Sequence, residues 1–271
     1  MTISKHASVL ITGAGRGIGK RLAIGFAKAG ARVGLLGRSR GELEVTKLEI
    51  EAAGGVALNI RADIREFELI DAAIDKMIDT FGSLDVLIAN AGVQGPIGPF
   101  AEIRPRNWKD VFETNILGTM NCFRAVLPRM IERRQGKIIA IAGGGASTPR
   151  PNFACYAGSK AAIVRFAESV AEEVREHNVQ INCLAPGGAY TSMTDEILDA
   201  GDRAGSKELD DADQIRLTGG VSPEKQIQLA LFLASNRSNH VTGKLIHAND
   251  DWKKLEFDNM KPESFTLRRQ K

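Results

Sequence analysis

No stretch of the 271-residue chain narrows its possible folds as far as Val9-Leu10-Ile11-Thr12-Gly13-Ala14-Gly15-Arg16-Gly17-Ile18-Gly19, followed by Lys20 to Ala27. The apolar run Val9 to Ile11 suits a strand buried on both faces. Glycines then remove the Cβ atoms that keep a backbone away from a ligand, and the helix beyond starts with unpaired N–H groups. Strand, glycine turn and helix together predict a phosphate cradle built from Thr12, Gly13, Gly15, Arg16, Gly17, Ile18 and Gly19. The spacing is Gly13-x-x-x-Gly17-x-Gly19, because Ile18 stands where G-x-G-x-x-G has its last glycine. On its own this pattern also suits any tight turn between strand and helix.

The same alternation continues along the chain. Strands are predicted at Arg32–Leu36, Val56–Ile60, Leu84–Ala89, Lys137–Ile141, Gln180–Ala185 and Leu245–His247. Between them, helical periodicity runs over Gly41–Ala53, Trp108–Arg133 (carrying Asn115 and Pro128), Asn152–His177 and Pro223–Ala234. A further helix ends near Phe81-Gly82 and carries Leu69, Ala73 and Met77 beside Ile70, Ile74 and Ile78 as one apolar stripe. The pattern predicts an α/β fold: a single-domain, Rossmann-like, doubly wound parallel sheet over 1–250 with helices on both faces. Ligands of such sheets sit at the carboxyl ends of the strands, where Thr12, Arg38, Asp63, Asn90 and Pro186 all fall. Two segments break the rhythm. The polar stretch 187–222 is expected to be a substrate lid or a disordered excursion. The extension 251–271 is read as a docked or dangling terminus, with a subunit contact as the alternative.

Charge and cysteine content exclude several classes of function. A net charge of +3 with interspersed signs gives no case for nucleic acid or an anionic membrane. Cys122, Cys155 and Cys183 form neither a disulfide framework nor a metal pattern, which suits a reducing cytoplasm. No targeting segment is apparent, and no apolar run approaches the ~18 residues that cross a bilayer.

Chemistry enters at Tyr156-Ala157-Gly158-Ser159-Lys160, where the spacing puts Tyr156 and Lys160 on one helix face. A neighbouring ammonium favours the phenolate, and a phenol so tuned exchanges a proton with a carbonyl or alcohol oxygen. Taken alone, the two residues also suit an ordinary surface pair. In company with Thr12-Gly13-x-x-x-Gly17-x-Gly19, Asn90-Ala91-Gly92, Asn115 and Pro186-Gly187 with Thr191, the chain closely resembles the short-chain dehydrogenase/reductase superfamily. The resemblance implies a nicotinamide cofactor and a carbonyl or secondary alcohol substrate, with homodimers or homotetramers. It makes Tyr156 the acid-base residue, Lys160 its ribose-binding partner that lowers the phenol pKa, and Asn115 the holder of a relay water. Asp63 and Ile64 would meet the adenine, Asn90, Ala91 and Gly92 would shape the site, and Pro186, Gly187 and Thr191 would lie along the nicotinamide.

Cofactor choice rests on charge. NAD-specific sheets generally end their second strand on an acid that binds the ribose 2′-hydroxyl. This chain has Gly37-Arg38-Ser39 there and Arg16 in the glycine loop, so NADP(H) is expected over NAD(H), although either arginine can also be merely solvated.

Two departures from the family stand out. Its usual serine, ahead of the tyrosine, is replaced by Gly143, or by Ala142 if the loop is one residue longer. Ser147, Thr148, a water or a substrate hydroxyl are possible substitutes. The alternative is a protein that keeps NADP(H) but has lost redox turnover or turned to non-redox chemistry. Near the C-terminus, Asn249-Asp250-Asp251 replaces the family's acid-glycine-glycine, which puts the usual subunit contact there in doubt. His247 and Cys155 read as structural. The loop Val93–Pro99 and the segment from Gly188 onward are expected to line the substrate pocket.

Overall fold

Each apolar run becomes a strand, and each strand feeds a helix that returns the chain to the same end of the sheet. The computed structural model describes residues 3–257, 261 and 263–268. Its first half places β1 (Ser8–Thr12), α1 (Gly17–Lys28), β2 (Arg32–Gly37), α2 (Arg40–Ala52), β3 (Val56–Arg61), α3 (Phe67–Phe81) and β4 (Val86–Ala89). After β4 come α4 (Pro105–Phe112), α5 (Thr119–Arg133), β5 (Gly136–Ile141), α6 (Ala154–Glu173) and β6 (Val179–Ala185). The chain closes with α7 (Ser192–Ala200), α8 (Ser206–Thr218), α9 (Pro223–Ala234) and β7 (Leu245–His247).

The sheet runs β3-β2-β1-β4-β5-β6-β7 and every pairing is parallel. Val9 of β1 faces Val33 on one side and Val86 on the other, so the chain changes direction between β1 and β4. A crevice opens at such a switch point, outside the carboxyl ends of the strands. Two apolar layers hold the sheet. One packs α3, α5 and α6 through residues such as Met77, Phe123 and Val164, and the other packs α1 and α9 through Phe26, Leu22 and Phe232.

The structure refines several expectations. On α3 the buried face is Ile70, Ala73, Ile74, Met77 and Phe81, while Leu69 is half exposed at 49%. The stripe is thus narrower than the sequence suggests, because one helix face meets the sheet and α5. The long helix over 108–133 is real in extent but changes winding: Glu113–Gly118 forms a π-helical turn between α4 and α5, with Asn115 buried in it. Such turns recur at functional sites because they redirect a side chain and its backbone. The segment 187–222 is helical, carrying α7 and α8, and not a disordered excursion. Its neck is closed by Val221 N donating to the Gly188 carbonyl at 2.7 Å.

The C-terminal extension docks. Trp252 stacks on Phe232 at 5.4 Å between ring centroids, and Leu255 is buried. Leu245 N of the edge strand β7 donates to the Phe265 carbonyl at 2.7 Å, so returning chain covers an otherwise open sheet edge. Residues 258–260, 262 and 269–271 of the extension lie outside the described residues. Among the described residues, no helix is long and apolar enough to cross a membrane. The three cysteines are buried and unpaired with one another.

Candidate active site

A cleft of about 1610 Å³ runs over the carboxyl ends of the strands and collects nearly every residue singled out in the sequence. Its floor is the β1–α1 turn. Gly13 and Gly17 adopt positive φ (66° and 56°), where a side chain is strained. A Cβ on Gly19 would run into the Gly13 carbonyl and approach the Asn90 side chain to 2.5 Å. Arg16 precedes α1 without capping it by its side chain. The first-turn N–H groups are therefore available to an anion. The turn is a backbone cradle that only glycines permit, which fits a dinucleotide pyrophosphate. Thr12 and Asn90 brace it: Thr12 Oγ1 accepts from the Asn90 and Ala91 amides at 3.0 Å, and Asn90 Nδ2 donates to the Thr12 carbonyl at 2.9 Å.

Beyond this turn lie Gly37, Arg38, Ser39, Asp63 and Ile64. Ser39 caps α2, its hydroxyl accepting from Glu42 N at 3.3 Å. Arg38 is 62% exposed at the side chain and only 4.0 Å from Asp63, and Arg16 is 64% exposed and 3.8 Å from Glu42. Both guanidinium groups therefore remain open to a further anion. Asp63 lines the cleft with its carboxylate gripped by Arg65 through Nε and Nη2, which holds its pKa below the usual range.

At the other end, α6 presents Tyr156 and Lys160, both buried and both lining the cleft. Asn115 supports them. Its Oδ1 accepts from Val93 N at 2.8 Å, and its Nδ2 donates to the Val93 carbonyl at 2.9 Å and to Ser159 Oγ at 3.0 Å. Ser159 in turn donates to the Tyr156 carbonyl at 2.7 Å. The π-helical turn is thereby tied to the loop after β4 and to the first turn of α6. Lys160 Nζ donates to the Ile141 carbonyl at 2.9 Å, and burial lowers its pKa to about 8. Tyr156 does not show the lowered pKa expected from its sequence neighbour: burial pushes the phenol up, and the cation that opposes this is Arg150. Lys160 Nζ stands 5.7 Å from the Tyr156 ring centroid. Burial outweighs the opposing charge of Arg150.

Residues 7–201 match the profile of the short chain dehydrogenase family. The chain belongs to that family. It is 31% identical over 245 residues to the 3-oxoacyl-[acyl-carrier-protein] reductase FabG of Staphylococcus aureus, covering 89% of this chain and 96% of that protein. Among solved structures it resembles a gluconate 5-dehydrogenase from Burkholderia cenocepacia in complex with NADP and tartrate, with TM-score 0.79, 29% identity, and 90% and 94% of the two chains covered. A 3-oxoacyl-[acyl-carrier protein] reductase with bound NAD from Brucella melitensis gives TM-score 0.76 at 31% identity, covering 90% of each chain. As a short-chain dehydrogenase the protein is an oxidoreductase, transferring hydride between a nicotinamide cofactor and a carbonyl or alcohol substrate. The reading as a cofactor-binding protein without redox turnover is not favoured.

The loop after β5 packs directly against the phenol. Gly143 lies so close to the phenol that a Cβ built on it would sit 2.5 Å from Tyr156 Oη. Ser147 and Thr148 line the cleft but are exposed. Three supporting residues escaped the sequence reading. Gln226 of α9, fully buried, donates to the Pro186 carbonyl at 3.1 Å. Its place on an apolar helix face was the only available signal. Arg150 and Glu208 form an ion pair at 2.7 Å between the loop before α6 and α8, joining segments 58 residues apart in sequence. Thr191 caps α7 in a reciprocal box with Thr194, which sets it over Gly17.

Proposed function

We propose that the protein is an NADP(H)-dependent carbonyl reductase in which Tyr156 is the acid-base residue, supported by Lys160 and Asn115. The observation that carries the cofactor choice is the pair Arg16 and Arg38, both exposed and both lining the cleft, with no acid ending β2. Two guanidinium groups suit a dianionic 2′-phosphate. The cradle of Thr12, Gly13, Gly15, Gly17, Ile18 and Gly19 would hold the pyrophosphate, with Ser39, Asp63 and Ile64 at the adenosine end. Asn90, Ala91, Gly92, Pro186, Gly187 and Thr191 would hold the nicotinamide half. When bound, the cofactor supplies or takes the hydride. Tyr156 Oη donates a proton to the carbonyl oxygen during reduction, or takes one from the alcohol in the reverse direction. Asn115 acts through Ser159, holding the first turn of α6 and hence the phenol in place. The reading takes 1–250 as the catalytic domain, 187–222 as its lid and 251–271 as an extension packed on it.

Titration of NADPH and NADH into the pure protein tests the choice. Arg16→Ala and Arg38→Ala are each expected to weaken NADPH by about tenfold, the scale of one lost charged hydrogen bond, and to leave NADH nearly unchanged. Equal losses for both nucleotides would reject the assignment. Turnover is read from nicotinamide absorbance against acetoacetyl-coenzyme A, a keto-aldonate and cyclohexanone.

The same reading makes the protein a cytoplasmic homodimer or homotetramer. Leu117 and Met120, 53% and 36% exposed on neighbouring turns, offer an apolar contact. Sedimentation of the wild type is expected to give a multimer, and Leu117→Lys a shift toward monomer. A monomeric wild type rejects it.

A further inference from the structure

The family's serine is missing from the loop after β5, and none of residues 142–146 carries a polar side chain. A different donor lies beside this loop, next to Gly144. Arg150 lies in the turn before α6 with its side chain only 15% exposed, and its guanidinium carbon sits 4.0 Å from the Phe153 ring centroid and 5.6 Å from that of Tyr156. Its orientation is fixed from α8: Nε donates to Glu208 Oε1 at 3.0 Å and Nη2 to Glu208 Oε2 at 2.7 Å. A guanidinium carries five N–H donors in a rigid fork, so this pairing leaves Nη1 over. Among the described residues Nη1 has no hydrogen-bond partner, and it stands 3.7 Å from the point where a side chain on Gly144 would begin. On the adjacent Gly143, the corresponding point faces Tyr156 Oη. Phenol and guanidinium thus flank two consecutive glycines.

We propose that Arg150 Nη1 donates a hydrogen bond to the substrate's carbonyl oxygen, in the place a serine hydroxyl serves elsewhere in the family, and that Glu208 positions it. The proposal rests on the reductase reading above. Glu208 also sets the class of oxygen. Its carboxylate neutralises the guanidinium through Nε and Nη2, which removes the net charge that would favour a second carboxylate. What remains is a directed donor for an uncharged oxygen, next to the phenol that protonates it. Because Glu208 belongs to α8, the donor is in place only when the segment 187–222 is seated over the cleft. Seating that segment and completing the site are one event.

The test is steady-state reduction of whichever of the three ketones the wild type turns over, with NADPH affinity measured separately by nucleotide fluorescence. Arg150→Met keeps the stem on Phe153 and removes the donors. It is expected to lower kcat by at least about tenfold, with KM within about threefold and NADPH affinity unchanged, because a donor to the developing oxyanion acts in the transition state. Millimolar methylguanidine is expected to restore part of the rate to Arg150→Ala, which a purely structural arginine does not predict. Glu208→Gln is expected to fall in kcat as well. A kcat for Arg150→Met within about threefold of wild type, or a loss confined to KM, overturns the proposal. Should Arg150→Met fail to bind NADPH and so fail to fold, Arg150→Lys decides: wild-type kcat there overturns the assignment, and a lowered kcat with intact NADPH binding supports it. A wild type that binds NADPH but reduces none of the ketones overturns the reductase reading itself, and this assignment with it.

Discussion

Tyr156→Phe is expected to lower kcat for carbonyl reduction on the order of 10³-fold, the usual range for a lost general acid, with NADPH affinity little changed. The phenol faces the loop after β5 at Gly143, and phenylalanine preserves its packing while removing the one oxygen that carries the proton. The pH dependence gives an independent reading. Burial raises the Tyr156 pKa above its ordinary value, so the group stays protonated through neutral pH. Reduction, which uses the protonated phenol, is therefore expected to be flat across neutrality and to fall only on the alkaline side. Alcohol oxidation uses the phenolate and is expected to rise with pH. Lys160, lowered to about 8 by burial, is charged below that value and loses its ammonium above it. In Tyr156→Phe the oxidation rate should lose its rise with pH. If the variant keeps more than about a tenth of the wild-type rate with the same pH profile, Tyr156 is not the acid.

The order of strands and the floor of the cleft were legible because they depend on local chemistry. An apolar run followed by Gly13-Ala14-Gly15-Arg16-Gly17 has few conformations that bury the strand and satisfy the helix start, and Pro223–Ala234 was recovered to the residue. Asn115 was found as a polar residue inside an apolar helix. Its π-helical setting was not, since that winding follows from the pairing of its side chain with Val93 across 22 residues. Long-range pairing also hid Arg150 and Glu208. In sequence Glu208 belongs to the polar stretch 187–222, where nothing singles it out, and only the packing of α8 against the loop after β5 turns it inward to 17% exposure. The tuning of Tyr156 failed to follow from Lys160 at i+4 for the same reason. Spacing reports which groups are neighbours, but burial and the actual hydrogen-bond acceptor decide what each neighbour does.

Placing a serine at Gly143 is expected to impair the enzyme, with kcat falling about 10²-fold, the scale of an ångström misplacement at a reacting centre. A Cβ there would lie 2.5 Å from Tyr156 Oη and 3.2 Å from both Cε1 and Cζ, so the phenol has to move before the hydroxyl can be accommodated. The neighbours leave little room. Tyr156 is buried, its ring faces Arg150 on one side and Lys160 on another, and its backbone is held by Ser159 and Asn115. Two residues on, Gly145 sits at a φ of 88°, and a Cβ on it would press on Ala157, so the loop has little freedom to back away. NADPH affinity is expected to stay near wild type, because the β1–α1 cradle is remote from the change. A Gly143→Ser enzyme as fast as wild type, or faster, would show that the phenol relocates freely and that the missing hydroxyl was limiting. The expected loss would instead mean that phenol, guanidinium and glycine form one fitted arrangement, in which a serine and an arginine at this loop are alternatives. On that account the double change Gly143→Ser with Arg150→Met should recover more activity than the two single losses predict, since removing the guanidinium beside the Tyr156 ring gives the phenol room to move and the serine then supplies a donor.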